Sequence, residues 1–269
     1  MKPFNYHCHA TYSDGKNTPE EMVLAAIEAG SDSFGISEHY VSAVAAEYSV
    51  KLQKESLYRA EMGELKEKYK DKIELFLGAE VDFTSPPASG YDYIIGSVHF
   101  FEIEGQFIGI DLTAQGQIDA ANKYFGGDMI ALACNYYEIL EKMPQKFKFD
   151  IVGHFDLVTK FNEGDKLFDT SNKRYVSAAE RALEALMPTG AVFEINTGAI
   201  SRGYRTEPYP SEYFLNLIRE MGGSVTFSSD AHDARYIFLG FDDAIERAKR
   251  AGFKSFKKLS KNGFVDEEL

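Results

Sequence analysis

The stretch Phe4-Asn5-Tyr6-His7-Cys8-His9, then Thr18-Pro19-Glu20-Glu21 running on to Gly30, then Ser33-Phe34-Gly35-Ile36-Ser37-Glu38-His39 decides the fold. The first and last pieces are short, aromatic or β-branched runs of strand character, and the middle piece opens with an N-cap threonine and a proline at the first helical position. The same alternation continues outward. Strand-like runs recur at Glu74–Phe83, Tyr91–Val98, Asp150–Val152, Gly190–Ile195 and Ser224–Phe227. Helix-like stretches lie between many of them, at Glu55–Tyr69, Gln115–Met143, Ser171–Met187, Ser211–Met221 and Asp242–Ala251, and Gly190, Gly222 and Gly252 stand where left-handed caps would end helices. Strand and helix in turn predict a parallel sheet wrapped by helices. With no linker, repeat or low-complexity block, the expected architecture is a single α/β domain over residues 1–269, a distorted seven-stranded (β/α)7 barrel. The glycine-punctuated segment Phe100–Gln115 reads equally as a hairpin or an active-site loop.

Composition narrows the function. The 269 residues are 44% hydrophobic and 26% charged, enough to bury a large core, and the net charge of -13 argues against a nucleic-acid or membrane-surface binder, which needs a cationic face. No apolar run approaches the ~20 residues that cross a bilayer, and no signal-peptide core follows Met1, so a cytoplasmic protein is predicted. Two cysteines, Cys8 and Cys134, are too few for a disulfide framework and are read as free thiols.

The histidines carry the chemistry. All six, His7, His9, His39, His99, His154 and His232, fall at or just past the carboxyl end of a strand-like run. In a barrel of parallel strands those ends converge on one rim, where ligands are presented. His7 and His9 project to one face while Cys8 points to the other, a spacing that suits chelation, and Asp230 and His232 repeat the pattern at the last strand. Glu80 adds a carboxylate at another strand end, and Asp14, in Ser13-Asp14-Gly15, reads as a turn residue or a ligand. Imidazole with carboxylate suits zinc, manganese or iron rather than magnesium or calcium.

The runs His7-Cys8-His9-Ala10-Thr11-Tyr12-Ser13-Asp14-Gly15, Glu38-His39, Gly78-Ala79-Glu80, Gly96-Ser97-Val98-His99, Gly153-His154 and Ser228-Ser229-Asp230-Ala231-His232 resemble the polymerase and histidinol phosphatase (PHP) family. Within it, Glu194-Ile195-Asn196-Thr197-Gly198 and Glu207-Pro208-Tyr209-Pro210-Ser211 are similar to the stand-alone histidinol-phosphate phosphatases. The resemblance implies two to three divalent metals at the barrel rim. His7, His9, Glu80 and Asp230 would hold the first, Glu80 with His99 and His154 the second, and Asp14, His39 and His232 the third. The implied reaction is hydrolysis of L-histidinol phosphate to L-histidinol and inorganic phosphate by a metal-bridged hydroxide, with His7, His9, Glu80, His99 and Asp230 as the catalytic set. The cations would offset the chain's negative charge locally.

Lys160, Arg202 and Arg205 follow strand ends and are expected to grip the phosphate. Glu47, Glu102, Glu104, Asp111, Phe100, Phe101 and Tyr204 are available to read an amine and an imidazole, and the sequence does not choose among them. Two other readings stand beside this one: a PHP phosphoesterase for another phosphorylated metabolite or nucleotide, and a non-catalytic metal-binding or polymerase-associated module.

Overall fold

Thr18 caps the first helix as its sequence requires, accepting from Glu21 N while the Glu21 carboxylate accepts from Thr18 N, and this reciprocal pair sets the start of the first strand-to-strand crossover. The computed structural model describes residues 2–269. In chain order its elements are β1 (Phe4–Asn5), α1 (Pro19–Glu28), β2 (Ser33–His39), α2 (Leu52–Tyr69), β3 (Glu74–Asp82), β4 (Tyr93–Ser97), β5 (Phe100–Ile103), β6 (Gln106–Gly109), α3 (Ala114–Tyr124) and α4 (Met129–Lys146). There follow β7 (Ile151–Val152), α5 (Lys173–Leu186), β8 (Val192–Asn196), α6 (Gly198–Ser201), α7 (Glu212–Glu220), β9 (Val225–Ser228), α8 (Phe241–Ala251), β10 (Ser255–Ser260) and β11 (Gly263–Glu268).

Seven of the strands form one parallel sheet in the order β1-β2-β3-β4-β7-β8-β9. A parallel bridge between Cys8 and Ala231, with His9 N donating to Ala231 O at 2.9 Å, brings the two edges together. The expected distorted seven-stranded barrel is therefore the architecture found, and every strand carboxyl end faces the same rim. The ring of Tyr93 fills space next to β2 and β3, where a Cβ on Gly35 or Gly78 would come within 2.4 or 2.2 Å of it. Its hydroxyl donates to Tyr6 O at 2.5 Å, which satisfies an otherwise buried polar atom.

Three segments differ from, or complete, the sequence reading. Gln115–Met143 is two helices, because Gly126 and Gly127 take φ of 61° and 86° and Asp128 then caps α4 by accepting from Ala131 N. Phe100–Gln115 contains the antiparallel pair β5–β6, and Thr113 caps α3 directly after it. After α8 comes a second antiparallel pair, β10–β11, which the sequence reading did not include; Asn262-Gly263 stands at its turn, with Gly263 at φ 92°. Phe256 of that pair stacks on Phe4 at 5.2 Å and Leu259 N donates to the Tyr6 hydroxyl oxygen at 3.1 Å, so the hairpin closes over the start of β1, away from the histidine-bearing rim. Among the described residues no helix is long and apolar enough to cross a membrane, and Cys8 and Cys134 are free.

Candidate metal centre

Strand alternation delivers the first pair as expected: His7 and His9 are fully buried on the inner side, and Cys8 packs outward among Met22, Val23 and Ile36. His7 Nε2 lies 3.3 Å and His9 Nε2 3.5 Å from Glu80 Oε2, and Asp230 Oδ1 lies 3.7 and 3.2 Å from the same two nitrogens. The other carboxylate oxygen, Glu80 Oε1, stands 3.4 Å from His99 Nε2 and 3.0 Å from His154 Nε2. Asp14 Oδ1 is 3.6 Å from His39 Nε2 and 3.2 Å from His232 Nε2. All nine residues singled out from the sequence as ligands thus meet at one place, and the two oxygens of Glu80 divide between two of the groups. The groups touch. His9 stacks between His39 and His232 at 4.1 and 4.3 Å, and His39 Nδ1 reaches Glu80 Oε2 at 2.8 Å.

This arrangement fits divalent transition ions. His7 Nε2 and His9 Nε2 are buried and make no well-aligned hydrogen bond, an arrangement that folded proteins avoid unless something else engages the atoms. They point together at two carboxylates, a mixed nitrogen and oxygen donor set of the kind that zinc, manganese or iron takes. Two of the rings have the opposite nitrogen engaged: His7 Nδ1 donates to Glu194 Oε2 at 2.9 Å, and His232 Nδ1 lies 3.0 Å from the carbonyl of Asp230. Each of these contacts fixes the ring so that Nε2 faces the centre. Asp230 itself sits at φ 46°, a conformation rare for a residue with a side chain, and Arg202 holds it there through both its carbonyl and its carboxylate, at 2.9 and 2.8 Å.

Two supporting residues escaped sequence reasoning. Glu194, on β8, orients His7 and also accepts from His154 N at 2.6 Å and Ser228 Oγ at 2.7 Å, so it ties two of the groups to one buried carboxylate. Asp82, two residues past Glu80, accepts from His99 N at 2.6 Å. The signal available was an acid inside a short apolar strand run: Glu194 stands in the middle of β8 and Asp82 at the carboxyl end of β3. Ser97 donates to Glu80 Oε1 at 2.7 Å and holds that side chain in place.

The charges are mutually dependent. Burial pushes the Glu80 carboxyl up, but the imidazoles of His7, His99 and His39 outweigh it and hold the group well below the usual range. Burial lowers His99, yet Glu80 and Asp82 raise it to about 10. His7 is likewise raised against burial, by Glu194, Glu80 and Asp230. His9 goes the other way, to about 3, through burial and the neighbouring rings of His39 and His232.

Above the centre opens a cleft of about 640 Å³. Lys160 and Arg202 line it, and Lys160 Nζ donates to Asp111 O and Oδ2 at 2.8 and 3.1 Å. Arg205 does not line it. Its guanidinium bonds Thr159 Oγ1 and lies over the Tyr209 ring at 4.8 Å, facing a separate cavity beside Asp156, because the turn after α6 carries it to the far side of Thr159. Of the residues available to read an amine and imidazole, Phe100, Asp111 and Tyr204 reach the cleft, whereas Phe101 is buried in the core and Glu47, Glu102 and Glu104 lie outside the cleft lining.

Comparison with known proteins follows the same residues. The model of the PHP domain matches residues 5–198. The chain belongs to the PHP domain family. The PHP match spans His7 to His154 and ends before Asp230 and His232, which the end of β9 supplies. The chain is similar to "Probable histidinol-phosphatase" of Schizosaccharomyces pombe, with 28% identity over 96% of this chain and 90% of that one. It is also similar to the histidinol-phosphatase of Lactococcus lactis, at 26% identity over 97% and 95% of the two chains. The crystal structure of a Lactococcus lactis histidinol phosphate phosphatase complexed with zinc, L-histidinol and phosphate superposes with a TM-score of 0.73, 24% identity, and coverage of 98% of this chain and 99% of that one.

Proposed function

We propose that this PHP chain, one domain over residues 1–269, is a metal-dependent phosphomonoesterase that hydrolyses L-histidinol phosphate to L-histidinol and phosphate. The observation that carries the reading is the division of Glu80 between imidazoles from different strands, directly beneath a cleft lined by Lys160 and Arg202. The choice of histidinol phosphate draws on the names of the relatives in fission yeast and Lactococcus.

On the division that the family resemblance implies, and with which the distances agree, His7, His9, Glu80 and Asp230 would hold one ion, Glu80, His99 and His154 a second, and Asp14, His39 and His232 a third. When bound, divalent zinc, manganese or iron supplies charge compensation at the phosphoryl oxygens and lets water act as a nucleophile near neutral pH. The chain's own part is to place the ester. Lys160 spends its contacts with Asp111 on one side and has a further N–H for a phosphoryl oxygen, while Arg202 brings a permanent positive charge to the same wall. Glu194, Ser97 and Asp82 hold His7, Glu80 and the His99 backbone still, so that little reorganisation is needed when charge develops. We place the enzyme in the cytoplasm, the reducing compartment in which its cysteines stay thiols.

A substrate panel tests this. Turnover of histidinol phosphate should exceed that of sugar phosphates and nucleoside monophosphates by about a hundredfold or more in kcat/KM, some 3 kcal/mol of discrimination. Equal rates across the panel would turn the assignment to a phosphoesterase of another metabolite. No turnover by fully metallated protein would turn it to a non-catalytic module.

A further inference from the structure

The other candidate ligands lie in a strand or just past its end, but Asp14 lies in the turn that follows, on a loop with no ladder of its own. Something must fix that loop if Asp14 is to meet His39 and His232. Glu38 is the residue in position to do so. It directly precedes His39 on β2, is 1% exposed, and is used by none of the contacts that support the first two groups. Both of its oxygens stand 3.1 Å from Ala10 N, and Oε2 accepts further from Ser13 N at 3.2 Å and from the Ser13 hydroxyl. A carboxylate is costly to bury unless such donors surround it, and these donors all come from the loop.

Past Asp14 the loop is tied a second time, by Lys16 N donating to His232 O at 2.8 Å. Between the two ties the chain is pressed against His9, for a Cβ on Gly15 would fall 2.3 Å from the His9 carbonyl oxygen. Asp14 is therefore bracketed between an anchor on the strand that carries His39 and an anchor on the segment that carries His232.

We propose that Glu38 is a positioning residue for the third group: by clamping Ala10 and Ser13 onto β2 it sets where Asp14 stands relative to His39 and His232, and so sets how tightly that group holds a divalent cation. This rests on the metal reading given above. It assigns Glu38 no contact with substrate or ion.

The experiment is titration of metal-free protein with Mn²⁺ against a chromophoric chelator, alongside thermal unfolding of the same metal-free samples. Asp14→Asn first identifies which ion belongs to the third group. Glu38→Gln should then weaken that same ion by about 10- to 100-fold while leaving the tighter ions unchanged, and Ser13→Ala should shift it in the same direction by less. Wild-type affinity for that ion in Glu38→Gln would overturn the proposal, and so would uniform weakening of every ion, which marks a merely structural role. If Glu38→Gln does not fold, Ser13→Ala decides: selective weakening supports the clamp, and unchanged affinity overturns it. If no ion responds to Asp14→Asn, the third group and the clamp fall together, while the substrate panel still judges the histidinol-phosphate reading by itself.

Discussion

At the scale of single residues, the centre is a balance between imidazoles and carboxylates that metal binding must disturb. His99, raised to about 10, and His7, raised well above the usual imidazole range, carry protons at pH 7 when no metal is present, whereas His9 at about 3 does not. A ligating nitrogen must give its proton up, so loading at pH 7 should release more than one proton per chain, and affinity should fall as the pH is lowered. Calorimetry in two buffers of different ionisation enthalpy measures the release. His99→Ala should lower the count by about one, reduce kcat by a factor on the order of 10³ or more, and leave thermal unfolding of the metal-free protein nearly unchanged, since the ring sits on the rim. Proton-neutral loading would speak against ligation through these rings. Asp14, on a turn, read in the sequence equally as a turn residue, whereas the other eight of the nine candidate ligands were legible there because strand ends in a parallel barrel must converge. Glu194 and Asp82 were not, since their partners are ring and backbone atoms far along the chain. Arg205 falls outside the cleft lining for a related reason: nearness to a strand end in sequence does not fix which side of Thr159 a long side chain takes.

At the scale of elements, the strands were legible from β-branched and aromatic runs, and helix starts from their caps. The break between α3 and α4 was not, because an apolar period running through Met129 and Cys134 hid a pair of glycines whose left-handed backbone ends one helix before Asp128 starts the next. Within the sheet, Gly35 and Gly78 make room for the Tyr93 ring. Gly78→Ala should force that ring and the Tyr6 contact aside and cost about 1–3 kcal/mol by overpacking. Denaturant unfolding checks this, and Gly78→Ala with Tyr93→Ala should be less destabilised than the sum of the two single variants.

At the scale of the whole molecule, the two ends of the barrel do different work. One rim carries every candidate ligand, and the other is covered by the β10–β11 hairpin, whose Phe256 is 1% exposed against Phe4 and Phe227. Phe256→Ala should therefore cost about 3–5 kcal/mol of stability, a large share of the ~5–15 kcal/mol typical of a domain, with kcat unchanged at low temperature. A parallel loss of kcat would mean that the hairpin and the rim are coupled. The hairpin carried one local signal that the sequence reading passed over, Asn262-Gly263 at its turn, where Gly263 takes φ 92° and Ser260 Oγ accepts from Asn262 N; its largely polar strands, Lys257 and Asp266 among them, lack the apolar alternation that marked the others.

The seam where Cys8 meets Ala231 has a consequence for biosynthesis. Asn5 and Ser229, bonded across it, are 224 positions apart, so His7 and His9, made early, have Glu80 available long before Asp230 exists. In a nascent chain, the two groups that draw on Asp230 and His232 are completed only once the segment after β9 has been made.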